Sequence, residues 1–279
     1  MSGVHIVTDS SCDLTDEQVS SYGIGVVPLS IRFGEEEFID REQLSVDQFY
    51  SKMADTGLLP ETAAPSPGRF EQEFRKAKDA GATAVVCINL SGELSATVQS
   101  ARNAAKAIEG ELDVRVIDSR SLTGGLGTMV LRAAQDASNG ASADEIVATV
   151  EGMIDRTEIF GALDTLENLK KGGRIGKAKA LMGSMLSVKP LIHIGDGAVE
   201  EAGRQRTRKR SLEWLRDQLF KEPNVESLAI LHGNAPDIEE FLTMIEERYP
   251  REQIRLGKIG AVIGTHGGPR VIGMCYLRN

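Results

Sequence analysis

Cysteine is scarce and scattered in this chain. Its three residues, Cys12, Cys87 and Cys275, lie far apart and form no C-x-x-C pair. This argues against a cysteine-based zinc centre, and an odd, sparse set fits a reducing compartment better than a disulfide scaffold. Long hydrophobic runs are missing too, since no apolar stretch approaches the ~20 residues of a membrane helix. A charged leader with an apolar core is not seen, because residues 4–8 already read as a strand. These absences lead to the expectation of a cytoplasmic protein without stable membrane insertion. Aromatics make up only 5% of the residues, and 41 acidic side chains outnumber 32 basic ones, which argues against a nucleic-acid partner. The sequence has no GxxxxGK[ST] phosphate loop, no GxSxG elbow and no HExxH helix. The common enzyme readings thereby drop out, and neither a catalytic set nor a metal-ligand set stands out.

What is present is a regular alternation of strand and helix signals. At roughly 100–200 residues per domain, 279 residues suggest about two domains. In the first half, strands are expected at residues 4–8, 24–33, 37–40, 83–89 and 114–117. Capping boxes at Thr15, Ser45 and Ser142 open helices, and Ser66 precedes a proline at the first helical position. Single helices between strands imply a parallel, doubly wound sheet, a three-layer α/β/α domain over residues 1–158. The second half mixes hairpins with helices. A hairpin is expected around Gly195-Asp196-Gly197, a short helix before Gly172-Gly173 and another over 175–185. This predicts a two-layer α/β domain with a mixed sheet over residues 159–279. Gly124-Gly125-Leu126-Gly127 follows a strand without matching GxGxxG, so its glycines read as a close-packing face.

Hydroxyl side chains gather where the first-domain strands end. Thr8, Ser10, Ser11, Ser91, Ser95 and Ser119 lie in such loops, and Thr62 and Ser66 precede a helix. Carboxyl ends of parallel strands share one crevice, and helix N-termini there can hold a carboxylate or phosphate. Each residue alone also reads as a simple cap or turn former. His266 is expected in a loop of small residues over 263–269, and it reads either as an anion ligand or acid–base group, or as a turn histidine. His5 and His193 read as structural. Asp9 could be a base or metal ligand, though no second carboxylate stands beside it. Two basic clusters, at residues 169–177 and 204–210, read as a docking patch for an acidic partner or as a solvated face.

These stretches resemble the DegV family of bacterial fatty-acid-binding proteins. The likeness runs through residues 8–14 (TDSSCDL), 27–30 (VPLS), 62–66 (TAAPS), 94–101 (LSATVQSA), 166–176 (LENLKKGGRIG), 206–209 (RTRK) and 263–269 (IGTHGGP). Ala63, Ala96 and Val98 depart from the family pattern. The resemblance implies a two-domain lipid carrier without a catalytic centre or cofactor, holding a long-chain fatty acid between its domains. By the same likeness Thr62, Ser95 and His266 hold the carboxylate, with Ser91 as a further candidate. It also implies presentation of that carboxylate to a separate fatty-acid kinase, docked at Arg206 with Arg204 nearby. Leu186, Val188, Ile192 and Ile263 are candidates for an apolar tunnel. Two other readings stay open: a phosphotransferase or hydrolase working on a small anion at the hydroxyl cluster, and a regulatory module built on the basic clusters.

Overall fold

The computed structural model describes residues 3–184 and 188–279, the side chains of 181–184 excepted. The first half contains strands β1 (Val4–Asp9), β2 (Gly25–Val27), β3 (Ser30–Phe33), β4 (Glu36–Ile39), β5 (Glu61–Ala63), β6 (Ala84–Asn89) and β7 (Asp113–Asp118). Its helices are α1 (Asp16–Tyr22), α2 (Val46–Thr56), α3 (Pro67–Asp79), α4 (Thr97–Ala107), α5 (Thr123–Ser138) and α6 (Ala143–Ile154). The second half holds β8 (Thr157–Ala162), β9 (Lys189–Gly195), β10 (Ala198–Gln205), β11 (Val225–His232), β12 (Ile254–Lys258) and β13 (Ile272–Arg278). With them run α7 (Glu167–Lys171), α8 (Arg208–Lys221), α9 (Ile238–Glu246) and α10 (Ala261–Gly267).

Four parallel strands in the order β2-β1-β6-β7 form the first sheet. Its faces divide by the two-residue period of a strand. Val7 and Cys87 pack with Phe70, Phe74 and Ala101 of α3 and α4, whereas Ile6 and Ile88 pack with α5 and α6. Every residue of β6 is buried, which explains its unbroken apolar run. The three capping boxes at Thr15, Ser45 and Ser142 all close with both reciprocal bonds. The second sheet is mixed, in the order β10-β9-β8-β13-β11-β12, with only β11 and β12 parallel. Helices α8 and α9 cover its outer face through Leu212, Leu215, Phe241 and Leu242. The inner face, with Ile159, Ile194, Val199 and Leu231, turns toward the first domain.

Three expectations are corrected. The single strand over 24–33 is two strands in two sheets. Gly25–Val27 joins the parallel sheet, Pro28 lacks the N–H a ladder needs, and Ser30–Phe33 enters a small antiparallel sheet ordered β4-β3-β5. The second helix expected over 175–185 is a 3₁₀ segment, Gly176–Ser184, and residue 185 lies outside the described residues. The glycine-rich stretch around His266 is helical, α10. Its glycines disguise a helix that tertiary packing supports, with Ala261 and Val262 in one apolar cluster with Phe49 and Tyr50 of α2. The Tyr50 hydroxyl donates to the carbonyl of Ile259 just ahead of that helix, at 3.0 Å.

Helix α5 lies between the two sheets, and its glycines make the double contact possible. A Cβ on Gly124 would stand 2.5 Å from Leu231 Cδ1 and 3.0 Å from Cys275 Sγ of the second sheet. One on Gly127 would stand 2.6 Å from the backbone carbonyl oxygen of Cys12. Gly127→Ala is therefore expected to destabilise the fold by about 1–3 kcal/mol despite alanine's helix preference. Gly152, in α6, has nothing within 4 Å of a built Cβ, so Gly152→Ala should stabilise by up to about 1 kcal/mol. Urea unfolding of both variants checks the pair, and equal shifts of one sign would count against this account of α5.

Candidate functional site

The inner face of the second sheet, the small sheet, α10 and the loops after β6 and before α5 surround an apolar cavity. Its walls include Leu90 and Leu122 from the first domain and Ile159, Ile192, Ile194 and Ile263 from the second. Of the proposed tunnel residues, Ile192 and Ile263 line it, Val188 does not, and Leu186 lies outside the described residues.

Polar groups are few in this lining, and they come from separate elements. Thr62 sits on β5, opposite Ile31 in the small sheet. Its Oγ1 is 2.9 Å from His266 Nε2 on α10. Ser95 is delivered by a tight turn in which the N–H groups of Leu94 and Ser95 donate to the Ser91 carbonyl. Its Oγ lies 2.8 Å from Thr97 Oγ1. Thr62, Ser95, His266 and Arg174 all line the same cavity. Arg174 is the residue that sequence reasoning missed. It stood in a basic cluster read as a surface patch, and nothing in its spacing separates an inward arginine from an outward one. Its guanidinium donates to the carbonyls of Leu94 at 3.1 Å and Gly172 at 2.7 Å, so it clasps the Ser95 loop to the end of α7. Burial, and secondarily the charge of Arg174, push the His266 pKa down to about 4. The imidazole is therefore neutral at physiological pH. Its Nδ1 is buried without a partner.

Most of the remaining rim hydroxyls are engaged elsewhere, and Thr8 Oγ1 is buried without a partner, outside the cavity lining. Ser91 is fully buried outside the cavity lining, and its Oγ accepts the Glu93 N–H at 3.2 Å. Ser10 Oγ accepts the Leu29 N–H, and Ser119 Oγ accepts that of Ser121. Asp9 is likewise absent from the lining: its carboxylate receives Ser11, Asn89 and Leu90. Among the described residues no group of three or more His, Cys, Asp or Glu side chains could hold a metal ion. Nor is any helix among them long and apolar enough to cross a membrane. The basic cluster at 204–210 also divides. Arg208 turns inward to pair with Asp237 at 2.8 Å, whereas Arg204 and Arg206 are exposed.

A second set of buried carboxylates marks the seam between the domains. Asp13 accepts from Thr123 Oγ1 at 2.6 Å and from the Gly260 N–H at 3.0 Å, so one carboxylate joins the starts of α5 and α10. Desolvation raises the Asp13 pKa to about 7 and that of Asp40 to about 6. An unfolded aspartate releases its proton near pH 4, but native Asp13 keeps its proton to about pH 7. Its stabilising contribution is therefore full below about pH 4 and is lost as pH rises through about 7. Asp13→Asn should flatten the fall of unfolding free energy over that interval, read from urea titrations at several pH values. A slope identical to that of the unmodified protein would refute this assignment.

A family model described as "Uncharacterised protein, DegV family" matches residues 3–279. A DegV domain-containing protein of Listeria innocua is 33% identical over 277 residues, which is 98% of each chain. Among solved structures, a DegV family protein from Thermus thermophilus, described for its fatty acid binding, is similar with a TM-score of 0.90. It is 31% identical, with 99% of each chain covered. A stearic-acid-binding protein from Eubacterium ventriosum gives a TM-score of 0.89 at 28% identity, over 100% of this chain and 98% of that one. With the fold, the cavity and the match over nearly its whole length in agreement, this chain belongs to the DegV family.

Proposed function

We propose that this protein binds a long-chain fatty acid between its two domains, with the carboxylate at Thr62, Ser95 and His266. The observation that carries this reading is an apolar interdomain cavity whose lining includes the Thr62–His266 pair and Ser95. Each buried CH₂ contributes about 0.8 kcal/mol, so an acyl chain of ~16 carbons supplies most of the driving force. The headgroup then needs recognition more than affinity. A buried N–H without an acceptor is costlier than a buried lone pair, so the partnerless His266 Nδ1 is the unprotonated nitrogen. Nε2–H accordingly donates to Thr62 Oγ1, and the Thr62 hydroxyl hydrogen remains available to the ligand carboxylate. Arg174 adds positive charge at the same wall without being left unpaired when the cavity is empty. We assign Ser91 to the turn that presents Ser95. The Thermus and Eubacterium relatives, described as fatty-acid binders, support the same ligand class.

A carrier role without catalysis accords with Asp9, whose carboxylate is spent on internal donors. A cytoplasmic setting accords with three buried, unbridged cysteines. The reading extends to presenting the carboxylate to a separate fatty-acid kinase. Its support is the exposed pair Arg204 and Arg206 at the end of β10, the strand whose Val199 lines the cavity.

Protein purified from cells should release a long-chain fatty acid into an organic extract, identified by mass spectrometry. Thr62→Val, Ser95→Ala and His266→Ala should each weaken fatty-acid affinity by about tenfold or more, measured by displacement of a fluorescent fatty acid. Affinity unmoved in all three would remove the carboxylate site from this corner. Arg206→Glu should leave that affinity intact and abolish kinase-dependent phosphorylation of the bound acid. Unaltered phosphorylation by the variant would argue against docking at Arg206.

A further inference from the structure

Gly172 ends α7, directly against the imidazole of His266. We infer that Gly172 is a positioning residue for the carboxylate site: its missing side chain is the space that holds the His266 ring against Thr62. The inference rests on the proposed fatty-acid site and names a residue behind it.

The backbone does not require glycine at this position. Gly172 has φ −72° and ψ −5°, ordinary right-handed helical values that alanine adopts without strain. The next residue differs. Gly173 has φ +70° and nothing within 4 Å of a built Cβ, so it serves the left-handed turn and leaves the space open. At Gly172 a Cβ would stand 2.3 Å from His266 Nδ1 and 2.8 Å from Cε1, closer than any non-bonded carbon tolerates. The ring is therefore packed edge-on against bare backbone, with Nδ1 toward it and Nε2 toward Thr62, 2.9 Å away. This contact also accounts for the orphaned Nδ1, since the atom facing it is an α-carbon rather than an acceptor.

The helices on either side cannot simply part to admit a methyl group. Asn168 Nδ2 on α7 donates to the Thr265 carbonyl on α10 at 3.0 Å, clamping the two segments together. The Gly172 N–H is tied back to the Asn168 carbonyl at 2.9 Å, and its own carbonyl receives Arg174. With the backbone held on both sides, the imidazole is the part that must move, and moving it breaks the Thr62 contact. The side chains of Lys171 and Arg174, the nearest cations in sequence, carry only donors and cannot accept from Nδ1. The same residue thus sets the ring's place and excludes the Nδ1–H tautomer.

The test uses the full chain with histidine-selective ¹⁵N labelling, and palmitate as the probe ligand. Gly172→Ala should shift the His266 ring nitrogens away from the Nε2–H pattern. It should also raise the midpoint of the ring's titration from about 4 toward the ordinary histidine value, by about one pH unit or more. Palmitate affinity should fall about as far as in His266→Ala, and Gly172→Ala/His266→Ala should lose no more than His266→Ala alone. Gly152→Ala should change neither readout. Wild-type ring resonances in Gly172→Ala, or losses that add in the double variant, would overturn the inference. Absence of palmitate binding in the unmodified protein would count against the fatty-acid reading, and the ring resonances would still decide whether Gly172 positions His266.

Discussion

Two sheets share one helix, and the rest of the molecule is arranged around that contact. Helix α5 can touch both because three of its first five residues are glycines, and each leaves a gap that neighbouring atoms fill. Close packing of this kind is unforgiving, since a protein interior has little empty volume to absorb an extra methyl group. Where the helix begins, the contact stops. Leu122 and Thr123, at its start, already line the cavity. The domains are thus joined tightly along α5 and held apart just beyond its N-terminus, and the open space lies there.

The chemistry of that space follows from how few polar groups enter it. Most hydroxyls of the strand-end loops are consumed in building the loops themselves, as Ser10, Ser91 and Ser119 illustrate. A buried polar group must be paired, and these serines are paired within the fold. Thr62, Ser95 and His266 differ because their positions are set by elements remote from one another in sequence. Thr62 comes from the small sheet, Ser95 from the turn before α4, and His266 from α10. Arg174 bridges two of these neighbourhoods through backbone carbonyls, holding a cation at the wall with no acidic partner among the described residues. Neutral donors with a nearby, pre-engaged guanidinium suit one carboxylate and avoid the cost of an isolated buried charge.

The alternation of apolar residues and turn signals makes most elements legible in the sequence. The capping boxes close as expected, because Ser or Thr with a Glu or Gln three residues on satisfies two helix-end donors within one turn. Legibility fails where long-range packing overrides local preference. The chain over 24–33 is strand-like on both sides of Pro28, and residue type alone does not say that the two halves enter different sheets. Residues 261–267 carry two glycines that weaken a helical signal, yet Phe49 and Tyr50 hold them in a helix. In the site, the resemblance points to Thr62, Ser95 and His266, and the fold brings all three to one cavity. Arg174 carries no such signal, because inward and outward members of a basic cluster look alike in a string of letters.

The sequence by itself determined what local chemistry can determine: the order of strands and helices, the caps and turns, and the want of metal-binding or phosphate-loop motifs. These depend on neighbours within a few residues, where backbone geometry and short-range hydrogen bonds dominate. Tertiary structure alone decided which hydroxyls face the cavity and which are buried in loops. It alone put Asp13 across the seam and Gly172 behind the His266 ring. Those outcomes depend on distances between segments up to about 250 residues apart, which only the packed chain defines.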